Sequence, residues 1–275
     1  MKQTPLSEHI GVEITGVQMA HLVGDDLESL KQAVFQNGVA VLRDQDLSPE
    51  QHIAFAKRWG GIDVNPFFPT SSGWPEIAEV RKAETQRDNI GGGWHTDHSF
   101  DQIPAMGSIL VARELPPIGG DTLFVGVGAV YDSLSNGLKA TLGTLKAVHS
   151  ADHIYQPGGF YSKSDLADEL TGQELSTRAV HPVVIRHPVT GRKLLYVNAG
   201  FTLHFEGWTR EESLPLLTYL SALGSREEFR CRVQWQPGSV AIWDNRATWH
   251  LAMNDYHGHA RVMHRITLTG EPLAA

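Results

Sequence analysis

Apolar positions change their period part-way along the chain. Leu27, Leu30 and Val34 recur at helical spacing between about Asp26 and Gln36, and Gly38 follows directly, which predicts a helix with a glycine stop. Gly11-Val-Glu-Ile-Thr-Gly16 before it reads as a short strand, and Val39-Ala-Val-Leu42 after it as another. Ser48-Pro-Glu-Gln51 opens a second helix, with serine as cap, proline in the first turn and Gln51 completing a capping box. Ile53, Phe55, Ala56 and Trp59 supply its apolar positions, and Gly60-Gly61 ends it. From about Ile77 the pattern turns to short strands between Gly and Pro turns. Candidates are Ser108–Arg113, Thr122–Val125, Val180–Arg186, Leu194–Asn198, Cys231–Trp235, Ser239–Trp243 and Arg261–Leu268, with helical stretches near Ala129–Leu145 and Arg210–Leu223.

Many short strands with a few helices predict a mainly β protein of the jelly-roll kind. The length of 275 residues suits one domain over 1–275. The polar segment from Asp152 to Thr177, carrying Gly158-Gly159, reads as a long insertion of the sort that forms lids. A net charge of −8 with no basic run excludes a nucleic-acid partner. The single cysteine, Cys231, rules out a disulfide framework and is expected to be a small buried apolar side chain. No apolar stretch is long enough to span a membrane, and Met1 to Gly11 lacks the apolar core of a secretory signal, so a cytoplasmic setting is expected.

Fourteen histidines are too many to be informative singly, so spacing must select among them. In Gly91-Gly-Gly-Trp-His-Thr-Asp97, His95 and Asp97 stand two apart, on one side of an extended segment, and the glycines let the chain approach closely. A further strand, Ser239–Trp243, runs through Asp244-Asn245 to His250. Two imidazoles and one carboxylate are the ligand set of a facial triad that leaves iron(II) open positions. His98 and His264 are rival ligands; His98 ranks lower because it points away from the His95 and Asp97 side. In Arg261–Leu268, Arg261, Met263, Arg265 and Thr267 share one strand face, while Val262, His264, Ile266 and Leu268 share the other and look like core packing. Two arginines on one face repel unless anions sit near them, and the planar guanidinium fork suits a carboxylate or sulfonate.

Together these segments resemble the taurine dioxygenase and 2,4-dichlorophenoxyacetate dioxygenase family of iron(II)/2-oxoglutarate oxygenases. The resemblance is carried by Trp94-His-Thr-Asp97, Gly119-Gly-Asp-Thr-Leu-Phe124, Trp243-Asp-Asn-Arg-Ala-Thr-Trp-His250, and Arg261 with Arg265. It implies a double-stranded β-helix core and iron held by His95, Asp97 and His250. It also implies 2-oxoglutarate and O2 as cosubstrates, with the far carboxylate of 2-oxoglutarate on Arg261 and Thr122. Arg265 corresponds to the residue that takes the substrate's acidic group, and Phe100 to a pocket aromatic. Asn65 and Phe68 stand where the taurine enzyme has a histidine and a tyrosine, and Gly91 where it has an asparagine. With His98 nearby, this pocket predicts a small anionic substrate of larger, more apolar body: a sulfonate, a sulfate ester, or an aryloxy or alkyl carboxylate. The resemblance further implies a homo-oligomer, dimer or tetramer. The rival readings are a zinc-type hydrolase on the same ligands, which gives Arg261 and Thr122 no role, and a non-catalytic binding module, against which the intact triad and cosubstrate residues speak.

Overall fold

The computed structural model describes residues 1–64, 68–170 and 177–275. Among these residues the larger sheet has nine strands, and its centre runs in the order Val39–Leu42, Val240–Asp244, Gly107–Glu114, Arg261–Leu268, Trp74–Lys82. These neighbours are all antiparallel. A smaller sheet places Thr122–Gly126 between Arg230–Val233 and Thr248–Ala252.

The apolar runs in the central strands follow from burial on both faces. Ala40, Leu42, Ile109, Ile242, Ile266 and Leu268 pack outward against the helices Gly24–Asn37 and Pro49–Trp59, joining Leu30, Val34, Ile53 and Phe55 in one cluster. The alternate positions Val39, Val41, Leu110, Ala241, Trp243 and Met263 face the smaller sheet and meet Phe124, Cys231 and Val233. A strand covered on both sides has no polar alternation to display, hence Val-Ala-Val-Leu and Val-Ala-Ile-Trp. Two sheets packed face to face form the double-stranded β-helix that the strand count predicts. Cys231 sits in its interior, and burial pushes its thiol up to about 12.

Both early helices form as their end signals predict. Gly38, with φ of 75°, follows the first, and the Ser48/Gln51 capping box is complete at the second. Other boundaries differ. The helical stretch expected over Ala129–Leu145 is two helices, Val127–Ser133 and Asn136–Leu142, because Ser135 leaves the helical region and caps the second. The strand expected over Val180–Arg186 divides into Arg178–Pro182 and Val184–Arg186, which belong to different sheets. The division follows Pro182, which has no N–H to extend its ladder. Of Leu194–Asn198, only Leu194 and Leu195 lie in a strand, which begins at Lys193. The segment 152–170 holds short helices, Asp152–Tyr155 and Ala167–Leu170 among them.

Candidate active site

His95 and His250 face each other as an antiparallel bridge. The His95 N–H donates to the His250 carbonyl at 3.1 Å, and the reverse bond is 2.8 Å. Residues paired in this way point their side chains to the same side, and the two imidazole centroids are 4.1 Å apart. The His95 Nδ1 lies 2.7 Å from the Gly93 carbonyl oxygen. With that nitrogen donating, the lone pair is on Nε2, which points at Asp97. Asp97 Oδ1 is 3.4 Å from His95 Nε2, and Asp97 Oδ2 is 3.4 Å from His250 Nε2. One ligand atom from each of the three residues lies within 4.8 Å of the others. Donors about 2.1 Å from a common ion lie about 3.0 to 3.4 Å from one another, so the spacing fits a divalent metal.

The electrostatics fit as well. Asp97 Oδ2 is buried without a hydrogen-bond donor. Arg265 Nη2 stands 3.2 Å from it, within ion-pair range but outside hydrogen-bonding geometry. Burial works to raise the Asp97 carboxyl, yet Arg265, His250 and His95 together hold it well below the usual carboxylate range. Burial, then the neighbouring His95, pushes His250 down to about 3, which leaves a neutral imidazole able to ligate. Phe124 and Trp243 pack on the His250 ring, and Thr96, between the two ligands of its own segment, donates to the Thr248 carbonyl at 2.8 Å.

Two glycines shape the place of His95. Gly91 has φ of 79°, and a Cβ there would lie 3.2 Å from His95 Cε1; a Cβ on Gly200 would lie 2.8 Å from His95 Cβ. The triple glycine before His95 is visible in the sequence. Gly200, far along the chain, carries no such signal.

Arg261 and Thr122 meet in a second, buried place. Thr122 Oγ1 accepts a hydrogen bond from Trp235 Nε1 at 3.0 Å, and the Arg261 guanidinium lies 5.7 Å from the centre of the same Trp235 ring. Arg261 Nε and Nη2 are buried without hydrogen-bond partners. Burial pulls this guanidinium below its ordinary pKa, against Tyr256 and Asp121. Gly120, with φ of 70°, makes room for the arginine, since a Cβ would fall 3.2 Å from Arg261 Cδ. A buried fork with unpartnered N–H groups has the geometry to receive a carboxylate.

The triad opens into a cavity of about 430 Å³ whose wall includes His95, Asp97 and Arg265. Phe68 lines it, with the Arg265 guanidinium 5.8 Å from its ring centre. Asn65 lies outside the described residues. Phe100 does not line the cavity; it packs behind Phe201, which does, at 4.8 Å between ring centres. His98, with φ of 57°, turns aside to bond Asp101 Oδ2 at 2.8 Å and is absent from the cavity wall. His264 lies on the opposite strand face from Arg265 and accepts a hydrogen bond from Arg113 Nε at 3.2 Å, so it is no ligand. Residues that sequence reasoning left unnamed include Phe201, Asn89 and Asn254 and, from the insertion, Ile154, Tyr155, Phe160 and Tyr161, which all line the cavity. Burial raises the phenols of Tyr155 and Tyr161 above their ordinary value, so both stay protonated.

Comparison with known proteins agrees with this geometry. Residues 2–267 match the Taurine catabolism dioxygenase TauD, TfdA family. The alkylsulfatase of Acinetobacter baylyi is 34% identical over 97% of this chain and 84% of its own. The alpha-ketoglutarate-dependent sulfate ester dioxygenase of Pseudomonas putida is 33% identical over 97% of this chain and 89% of its own. The crystal structure of a taurine dioxygenase from Burkholderia xenovorans superposes with a TM-score of 0.82 at 33% identity, covering 98% of this chain and 89% of that one.

Proposed function

The chain belongs to the TauD/TfdA family of dioxygenases, and on that premise we propose which residues do the work and what they act on. The reaction is Fe(II)- and 2-oxoglutarate-dependent oxidation by O2, giving succinate and CO2. The substrate is a small anionic organic molecule. His95, Asp97 and His250 hold the iron; when bound, that ion supplies O2 activation coupled to decarboxylation of 2-oxoglutarate. Their converging, mutually spaced donor atoms, with Asp97 Oδ2 lacking any hydrogen bond, are the observation that carries this assignment.

The remaining roles belong to the chain's own side chains. Arg261 and Thr122 grip the far carboxylate of 2-oxoglutarate, which orients its keto acid end toward the triad. Arg265 takes the substrate's acidic group. Because Arg265 reaches within 3.2 Å of Asp97, an acid bound there sits close to the metal and fixes which C–H faces it. Phe68 and the aromatic residues of 154–161 shelter the body of the substrate and exclude water. A sulfonate, a sulfate ester or an aryloxy or alkyl acid suits such a wall, and hydroxylation next to sulfonate or ether oxygen releases that group. Of the insertion expected over 152–177, residues 152–170 act as the lid of a single domain, and 171–176 lie outside the described residues. Among the described residues no helix is long and apolar enough to cross a membrane. A homo-oligomer and a cytoplasmic setting complete this reading, open to light scattering and cell fractionation.

The deciding experiment is an anaerobic titration of apo-protein with Fe(II) and 2-oxoglutarate, following the visible metal-to-ligand charge-transfer band. The band should form in the native protein. Arg261→Ala should need about 10 to 100 times more 2-oxoglutarate, as expected when a charge-assisted hydrogen-bonding group is lost. Bound iron with no band would defeat the cosubstrate assignment and return the hydrolase reading to the front.

A further inference from the structure

The segment 152–170 is tied to the metal loop by side-chain bonds distinct from its role as cavity wall. Tyr155, on the cavity wall, stacks on Tyr161 with ring centres 5.6 Å apart and planes 24° from parallel. The Tyr161 phenol oxygen accepts the Gly91 N–H at 3.1 Å. Gly91 is the residue against the His95 ring, and its carbonyl accepts the Ala252 N–H at 2.9 Å, two residues beyond His250. One glycine therefore touches the lid segment, one histidine and the strand of the other. Asp165 supplies a second tie. Its Oδ2 accepts from the Arg87 N–H and its Oδ1 from the Asp88 N–H at 3.2 Å. Gln86 Nε2 adds a bond to Glu169 at 3.1 Å. Beneath these bonds Tyr161, Leu166 and Leu170 form an apolar cluster with Ile90, Ile154 and Tyr155.

Ordering of a metal-bearing loop and ordering of a wall bonded to it favour each other, and such coupling is reciprocal by thermodynamic necessity. We propose that Tyr161 is a positioning residue that couples the aromatic wall of the cavity to the glycine loop bearing His95, with Asp165 anchoring the wall segment to residues 87–88. Substrate body pressing on Tyr155 is thereby transmitted through Tyr161 to Gly91 and to the orientation of His95. The inference rests on the assignment of His95, Asp97 and His250 as metal ligands.

The test is hydrogen–deuterium exchange of the full chain, with and without Fe(II) added anaerobically, in the native protein, Tyr161→Phe and Asp165→Asn. Tyr161→Phe keeps the stacked ring and removes only the acceptor. Asp165→Asn replaces one of the two acceptor oxygens by a donor facing an N–H. In the native protein Fe(II) should slow exchange in peptides from 91–97 and also, by roughly five-fold or more, in peptides from 152–170, the lower end of ordinary site-to-site coupling. In both variants the slowing at 91–97 should persist and that at 152–170 should vanish. A residue that merely stabilised the lid would change its exchange equally with and without metal. Protection of 91–97 with none at 152–170 in the native protein, or undiminished protection of 152–170 in the variants, would overturn the coupling alone. No protection at 91–97 would overturn the metal assignment, and the coupling with it. Exchange in Arg261–Leu268 reports whether each variant is folded; should Tyr161→Phe unfold, Asp165→Asn decides.

Discussion

At the scale of single residues, the site is a set of donors whose freedom has been removed by their neighbours. His95 is fixed by the Gly93 carbonyl on one ring nitrogen, and Gly91 and Gly200 crowd it at ring and stem. Gly200→Ala places a methyl 2.8 Å from His95 Cβ, so one of the two must move. That change should weaken Fe(II) binding by about 10 to 100 times, the usual effect of losing an outer support of a metal ligand. Competition with a metallochromic chelator would measure it, and unchanged affinity would mean that the 198–202 turn yields instead. The difference between the two glycines shows what a sequence reveals. His95, Asp97 and Gly91 are neighbours in the chain, so their relation is legible as spacing. Gly200 approaches His95 only through the fold and leaves no local mark. His98 shows the converse, since a single positive φ turns the residue next to Asp97 away from the cavity.

At the scale of elements, the short connection from Val240–Asp244 to Thr248–Ala252 takes the chain from the larger sheet to the smaller and so places His250. Its turn is held by a fully buried carboxylate. Asp244 Oδ1 accepts from the Arg246 N–H and Nε, and Oδ2 accepts from Arg246 Nη2 at 2.6 Å and His187 Nε2 at 3.0 Å. Burial works to raise this carboxyl, but Arg246 and then His187 bring it down to about 2. Asp244→Asn leaves the buried Arg246 guanidinium with only the exposed Glu271, 3.1 Å away, as counter-charge and should cost about 3 kcal/mol at neutral pH. A carboxylate depressed in the folded state stabilises above its unfolded pKa and loses that contribution as pH falls through the folded one. The urea stability gap between native protein and variant should therefore narrow by roughly 2 kcal/mol between about pH 5 and pH 2. A constant gap would show that Asp244 does not titrate in that window. Asp244 read in sequence only as a step on the way to His250, because its partner His187 is remote in the chain. Elements with their own end signals, such as the Ser48 cap and Gly38 stop, were legible. The break at Pro182 depends on which sheet each half joins, whereas the break at Ser135 is a local cap inside a stretch whose apolar pattern reads as one helix.

At the scale of the whole molecule, one strand carries both arginines that the proposed function assigns to recognition. Arg261 and Arg265 lie on the same face of Arg261–Leu268 and are both buried, yet they serve different rooms: Arg261 sits with Thr122 and Trp235, Arg265 with Asp97 and Phe68. The sequence pointed to two anion-binding arginines on that face, but not to the face being interior while Val262 and His264, on the supposed core side, are only half-buried. Helices cover the far end of the strand alone, where Ile266 and Leu268 join the outer cluster. The division makes the two arginines separable. Arg265→Ala should leave the charge-transfer band and its 2-oxoglutarate midpoint close to native, because Arg261 and Thr122 are untouched and the metal neutralises Asp97. It should raise KM for an anionic substrate by about 10 to 100 times, the loss of one charge-assisted partner. Decarboxylation should then run ahead of substrate oxidation, seen as more succinate formed than product. Loss of the band in Arg265→Ala would instead assign this arginine to the metal centre itself, with substrate recognition left to the aromatic wall.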